Sequence, residues 1–252
     1  MFWMHRDEIY AKGLSVGFKV FSPGHLLWLA ALAAACFLTG KLYCRLGEKG
    51  RDNMRKGCAL LVVLLEALKL IIMGLFKVNN IEFLPLHLCS VGGLATLVYA
   101  MWPKRDWLGQ YFAYAFFPAT VLAVVFPSTS MYPWWNFYCL HTFIFHGLIM
   151  AYYVWLAMSG EVVPRYKGLW ITYAGCAVIA FIIYHLNGAF GVNYMFSGMR
   201  SDVGVLALLW DLTVPRFGRA GYTVILNVIM IVFMHIFALV YFLIDRVAKR
   251  KS

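Results

Sequence analysis

Seven stretches of mainly apolar residues, joined by short connections, limit what this chain can fold into. A helix crossing the hydrocarbon core of a bilayer needs roughly 20 such residues. Lipid admits only backbone whose hydrogen bonds close within a helix or a barrel. The stretches fall at about 23–43, 58–76, 83–102, 111–126, 135–158, 169–186 and 222–244. They predict one all-α, polytopic transmembrane domain of seven helices. Composition agrees, because a chain of 252 residues that is 63% hydrophobic and 13% charged has more apolar side chain than a water-soluble domain can bury.

The net charge of +11 would suggest nucleic acid in a soluble protein. Here the bases gather in connections and at the C-terminal end, the pattern of topology signals and headgroup contacts. No nucleic-acid partner is expected. With the N-terminus outside, the inner connections carry about twice the Lys and Arg of the outer ones. That bias places the C-terminus in the cytoplasm, as an odd number of spans requires, and predicts a multi-pass protein of the cell membrane. The six cysteines form no C-x-x-C pair, so no metal site and no disulfide framework is indicated. No organic cofactor motif is present either.

Polar groups concentrate at one side of this predicted membrane domain. The stretch Asn79-Asn80-Ile81-Glu82-Phe83-Leu84-Pro85-Leu86-His87-Leu88-Cys89-Ser90 opens the third span at its outer end. Span five brings Asn136, His141 and His146 into its outer half, and span six ends on His185 and Asn187. The loop beyond carries Asn193, Tyr194, Arg200 and Asp202. At about 1.5 Å per residue, Cys89 and His141 lie roughly 9 Å below the outer boundary and His146 roughly 16 Å. Ionisable groups at such depth are costly in lipid and face protein or a wet cavity.

Each of these residues also has a structural reading. A lone buried cysteine is usually a small hydrophobe, and a lone intramembrane histidine is often an interhelical hydrogen bond, the role expected of His235. Glu66 and Lys69, spaced i,i+3 in span two, can pair along their own helix or face a pocket. The convergence of His87, Cys89, His146 and His185 on one side favours chemistry. A thiol with an imidazole in reach is the minimum for a covalent nucleophile. His87 and Cys89 point different ways on one helix, so the partner base comes from another span, His146 or His185.

The segments Pro85-Leu86-His87-Leu88-Cys89-Ser90, Phe126-Pro127, Phe143-Ile144-Phe145-His146, Tyr184-His185 and Gly191-Val192-Asn193-Tyr194-Met195 occur in an order that resembles the bacterial YwaF-like integral membrane family. That family is similar to a eukaryotic transmembrane acyltransferase family that makes ether phospholipids. The eukaryotic enzymes pair a cysteine in a Pro-Cys-His-Leu motif with a histidine on a later span. By resemblance His146 matches that histidine and His87 the motif's own. Leu86 stands at the cysteine position, and Cys89 lies three residues on, on roughly the same helical face.

The expectation is a lipid-active membrane enzyme, performing acyl transfer or ester hydrolysis, with membrane lipids as partners and substrates. Cys89 would be nucleophile, His146 base and acid, and His87 or His185 would orient the base or polarise the carbonyl. Asn193, Tyr194, Glu66, Lys69 and Asn80 would bind substrate. The same pocket would also suit a small-molecule binding or transport component, and a non-catalytic scaffold with hydrogen-bonded core histidines is a third reading.

Overall fold

The computed structural model describes residues 1–14, 16–76, 81 and 84–251, with the side chains of Arg6, Asp7 and 247–251 excepted. The helices are α1 (Arg6–Ala11), α2 (Pro23–Arg45), α3 (Glu48–Leu75), α4 (Leu88–Met101), α5 (Asp106–Tyr111), α6 (Phe117–Val125), α7 (Phe137–Met158), α8 (Tyr166–Phe190) and α9 (Gly204–Lys251). A π-helical turn, Phe112–Phe116, joins α5 to α6, and a 3-10 turn, Tyr194–Phe196, follows α8. No strand occurs among the described residues.

Among the described residues six helical segments are long and apolar enough to cross a membrane: α2, α3, the joined Asp106–Val125, α7, α8 and α9 up to Arg246. The expected third span is shorter than the sequence suggests. The expectation opened it near residue 83, which lies outside the described residues, whereas α4 begins at Leu88. Around Pro85 the backbone instead closes two turns, Leu84 N donating to Ile81 O at 3.1 Å and Leu86 N to Leu84 O at 2.7 Å. The 14 residues of α4 cover about 21 Å, less than a hydrocarbon core of roughly 30 Å.

Other boundaries also move. The basic residues Lys49, Arg51, Arg55 and Lys56, expected in a loop, ride on the first turns of α3. At α2, Pro23 occupies the first turn, but the Ser22 hydroxyl makes no capping bond. The helical stretch α9 opens at Gly204, and its second part, which holds the seventh span, begins just after Gly218, close to the expected start near Tyr222. Gly218 interrupts it with φ 64° and ψ −177°, a conformation open to glycine and closed to residues with a Cβ.

The chain divides into two compact units. The first comprises Met1–Asn79, Gly92–Pro103 and Ala119–Glu161. In it α2 and α3 pack along α7. Small residues let the helices close: a Cβ on Gly147 would meet Leu32 at 2.6 Å, and one on Gly93 would meet Phe145 at 2.9 Å and Val62 at 3.0 Å. Polar side chains tie the same seams. Trp155 Nε1 donates to Thr39 Oγ1 at 2.8 Å, and Tyr152 OH donates to Thr96 O at 3.1 Å.

The second unit comprises Asn80–Val91, Lys104–Pro118 and Val162–Ser252. Here α5 and the π-helical turn pack on α8, and α8 on α9. The buried Gln110 of α5 donates to Val163 O at 3.1 Å and accepts from Arg165 N at 2.9 Å, fixing the start of α8. Within the π-helical turn the Ala113 carbonyl accepts the Tyr241 hydroxyl of α9 at 2.9 Å.

Candidate functional site

In the first unit, α3 and α7 bring four ionisable side chains into one cluster. Glu66 and Lys69 lie one turn apart on α3, and Lys69 Nζ meets Glu66 Oε1 at 2.6 Å. The second carboxylate oxygen faces His141 Nε2 of α7 at 3.8 Å. Glu66 is 7% exposed and His141 8%, so this charge cluster sits inside the bundle and not on its surface. The His141 ring stacks on Phe145, with centroids 5.2 Å apart, and tilts against Phe137 at 5.8 Å. Its neighbours one turn above and below therefore fix its plane. Among the described residues no hydrogen bond reaches His141 Nε2.

His146 lies five residues further along α7. Its Nδ1 is 2.6 Å from the Thr142 carbonyl oxygen. A carbonyl only accepts, so Nδ1 carries a proton and the neutral ring has its lone pair on Nε2. That is the tautomer a general base needs, oriented by backbone and not by a carboxylate. His25 and His235 serve as comparisons. His25 Nδ1 accepts from Phe21 N at 2.9 Å while Nε2 donates to Val124 O at 2.8 Å, so both nitrogens are committed. His235 Nδ1 bonds Ile231 O at 2.8 Å, and Nε2 meets the Tyr166 hydroxyl at 3.4 Å, the interhelical role expected of it.

In the second unit the loop after α8 is a hydrogen-bonded construction around two asparagines. Asn187, buried at the end of α8, accepts from Tyr194 N at 2.9 Å. Its amide donates to Tyr194 O and to Ser197 Oγ, both at 2.9 Å. Asn193 Oδ1 accepts from Gly198 N at 2.9 Å and Met199 N at 3.1 Å. The Tyr194 hydroxyl donates to Ile81 O. This pins Met195 and Phe196 at φ 52° and 58°, a region costing residues with a Cβ about 1–3 kcal/mol each.

His87 faces this loop, its Nδ1 accepting from Met195 N at 3.3 Å and its ring set edge-on to Tyr194. Accepting at Nδ1 puts the proton of the neutral ring on Nε2, the reverse of His146. Leu86, at the position where the resemblance expects cysteine, packs on the apolar group of Ile183, Val192 and Tyr194. His185 is on an exposed face of α8, its ring edge-on to Phe181 and Tyr184.

The predicted site residues thus resolve into two sets. Glu66, Lys69 and His146 belong to the first unit, joined there by His141. His87, Cys89, His185, Asn193 and Tyr194 belong to the second. Asn80 lies outside the described residues. Of the two expected substrate contacts, Asn193 uses Oδ1 to accept from loop backbone at Gly198 and Met199, and the Tyr194 hydroxyl donates to Ile81 O. Of the cysteines, Cys36, Cys58, Cys139 and Cys176 are buried, while Cys44 and Cys89 are half-exposed. Among the described residues no group of three His, Cys, Asp or Glu side chains is placed to hold a metal ion.

Sequence reasoning missed a second buried charge cluster, at the other end of α3. Arg55 Nη1 donates to Glu161 Oε2 at 2.8 Å and to the Tyr43 hydroxyl at 2.6 Å. Tyr43 OH in turn donates to Glu161 Oε1 at 2.8 Å. Arg51 caps the end of α2 through the carbonyls of Tyr43, Cys44 and Leu46 at 2.9–3.2 Å. Three chain segments are clasped by one carboxylate.

These features define a multi-span helical membrane protein with ionisable side chains held inside its helix packing. A family model described as the TMEM164 family matches residues 20–244, and the chain belongs to that family of membrane proteins. No curated protein and no solved structure matches it.

Proposed function

We propose that this chain is a lipid-active membrane enzyme that transfers or hydrolyses an acyl ester. The observation that carries the reading is the state of His146: Nδ1 is spent on Thr142 O, so the lone pair sits on Nε2. Cys89 supports it as a half-exposed thiol in the first turn of α4, two residues after His87. Reactive cysteines are accessible ones, whereas buried thiols are inert. In this reading His146 Nε2 takes the Cys89 proton, and the thiolate adds to the ester carbonyl. His146 returns the proton to the departing alkoxide, leaving an acyl thioester. Water or an acceptor hydroxyl then releases the acyl group with His146 again as base. His87, with its proton on Nε2, is suited to polarise the carbonyl. His185 takes a share in orienting the base, and Glu66, Lys69, Asn80, Asn193 and Tyr194 shape the substrate site. The mechanism requires Cys89 Sγ and His146 Nε2 to come within roughly 4 Å during turnover.

The reading includes seven membrane segments, with α4 as the short one, the N-terminus outside and the C-terminus cytoplasmic in the cell membrane. It also keeps the resemblance to the YwaF-like family and to the ether-phospholipid acyltransferases.

The test is intact mass of the purified protein after incubation with mixed phospholipids, with Cys89→Ala and His146→Ala alongside. The expected result is an acyl-sized mass increase that hydroxylamine removes and that Cys89→Ala lacks. Turnover that survives both substitutions would refute the assignment. Absence of any adduct or turnover in three equally stable proteins would shift the reading to a ligand-binding or transport component.

A further inference from the structure

The Glu66–Lys69–His141 cluster has a charge arithmetic of its own. A carboxylate within helix packing keeps a cationic partner, because an uncompensated buried charge is strongly destabilising. Lys69 is that partner at 2.6 Å. It is also the more open of the two, with its side chain 17% exposed against 9% for Glu66. An approaching anion therefore meets the ammonium first and draws it from the carboxylate. His141 stands ready for that event. Its Nε2 is 3.8 Å from the other Glu66 oxygen, buried, and without a hydrogen bond among the described residues. Phe145 stacked on the ring favours a cation there.

We propose that Lys69 binds the anionic head of an amphiphile, a phosphate or a carboxylate, and that His141 takes up one proton as it does so. The proton goes from water to His141 Nε2, and the new imidazolium replaces Lys69 as counter-charge to Glu66. A monoanion and a proton enter together, so the cluster's net charge is the same before and after. Among the described residues several titratable groups surround His141. From α3 they are Glu66 and Lys69, and from α7 His146 and, one helical turn away, Tyr138, against which His5 packs. On α2, His25 has both ring nitrogens committed. The inference rests on the lipid-active reading for its ligand but needs no turnover.

Calorimetry on the full-length protein in dodecylmaltoside provides the test, with decyl sulfonate as probe because its charge is independent of pH. Methanesulfonate, the same head without the tail, is the second arm. Repeating the titration in buffers of different ionisation enthalpy counts the protons taken up. Wild type is expected to take about one proton per decyl sulfonate, and wherever it does so the affinity falls about tenfold for each unit the pH rises. Lys69→Met should weaken binding at least tenfold. His141→Gln should weaken it at neutral pH and reduce the count to zero. Glu66→Gln, which removes the need for a replacement cation, should still bind with a count of zero. His146→Ala should keep the count at one, which separates this site from the base of the proposed reaction. Equal binding of methanesulfonate with the same count would support the anion site and identify a soluble anion as its ligand. Failure of both probes to bind, a count of zero in wild type, or a count of one in His141→Gln or Glu66→Gln would overturn the inference, whether or not the protein forms a thioester.

Discussion

Replacing Arg55 by Met and Glu161 by Leu, singly and together, tests whether the clasp at the α2–α3 connection acts as one unit. Arg55 contributes two short hydrogen bonds, to Glu161 at 2.8 Å and Tyr43 at 2.6 Å. The side chains of Arg55 and Glu161 are only 7% and 11% exposed, so neither partner recovers full hydration when the other is lost. Arg55→Met leaves Glu161 with the Tyr43 and Ser159 hydroxyls, and with Arg51 at 3.8 Å. Glu161→Leu leaves the Arg55 guanidinium with the Tyr43 hydroxyl at 2.6 Å and Asp52 at 3.5 Å. Each single substitution is expected to cost about 3 kcal/mol, because it strands a charge inside the packing. The double variant removes both charges and should cost about 3–4 kcal/mol in place of about 6, a coupling of about 2–3 kcal/mol. Reversible unfolding in mixed dodecylmaltoside and dodecyl sulfate micelles, read by tryptophan fluorescence, measures all four proteins. Additive losses, or a cost below about 1 kcal/mol for Arg55→Met, would refute the clasp.

Three further outcomes follow from the packing. Asn187→Ala removes three hydrogen bonds from the loop after α8, and should destabilise by about 3 kcal/mol in the same unfolding assay. Gly198→Ala places a methyl group against the Val192 carbonyl, which is backbone and cannot turn aside; a loss of about 1–3 kcal/mol is expected from the melting shift. Maleimide labelling of the native protein, mapped by peptide mass, should modify Cys44 and Cys89 and spare Cys36, Cys58, Cys139 and Cys176 until the protein is unfolded.

Features with a short sequence period were legible before the fold. Apolar runs gave the membrane class, and the i,i+3 spacing of Glu66 and Lys69 anticipated their ion pair at 2.6 Å. The first apolar stretch starts at about residue 23, and α2 begins at Pro23. What escaped was whatever depends on partners far along the chain. Arg55 and Glu161 are 106 residues apart, and nothing local distinguishes Arg55 from the exposed Lys56 beside it. Leu84 to His87 read as the opening of a helix because its apolar residues fit either conformation. The turns around Pro85, which delay α4, leave no periodic trace. Likewise Met195 and Phe196 carry no glycine or asparagine signal for their positive φ, which comes from the bonds made by Asn187 and Asn193.

The histidines show why residue type alone was a weak guide to the site. His25, His146 and His235 are all intramembrane imidazoles with a backbone carbonyl within 2.6–2.8 Å of one nitrogen. Residue type does not separate them. The second nitrogen separates them: His25 fills it with the Phe21 amide, and His235 with the Tyr166 hydroxyl. For His146 no described residue hydrogen-bonds it. A buried polar atom without a partner is a cost that packing alone has no reason to keep. His141, one turn and a half away on the same helix, bears that cost: its buried Nε2 has no hydrogen bond among the described residues and lies 3.8 Å from a carboxylate. An incompletely satisfied imidazole on α7, beside a buried ion pair on α3, requires stabilisation from the rest of the bundle. The clasp at Glu161, just past the end of α7, and the close seams at Gly147 and Gly93 supply rigid packing along that helix. If those seams serve to hold α7 in place, loosening them should alter the proton count at His141 before it alters the fold.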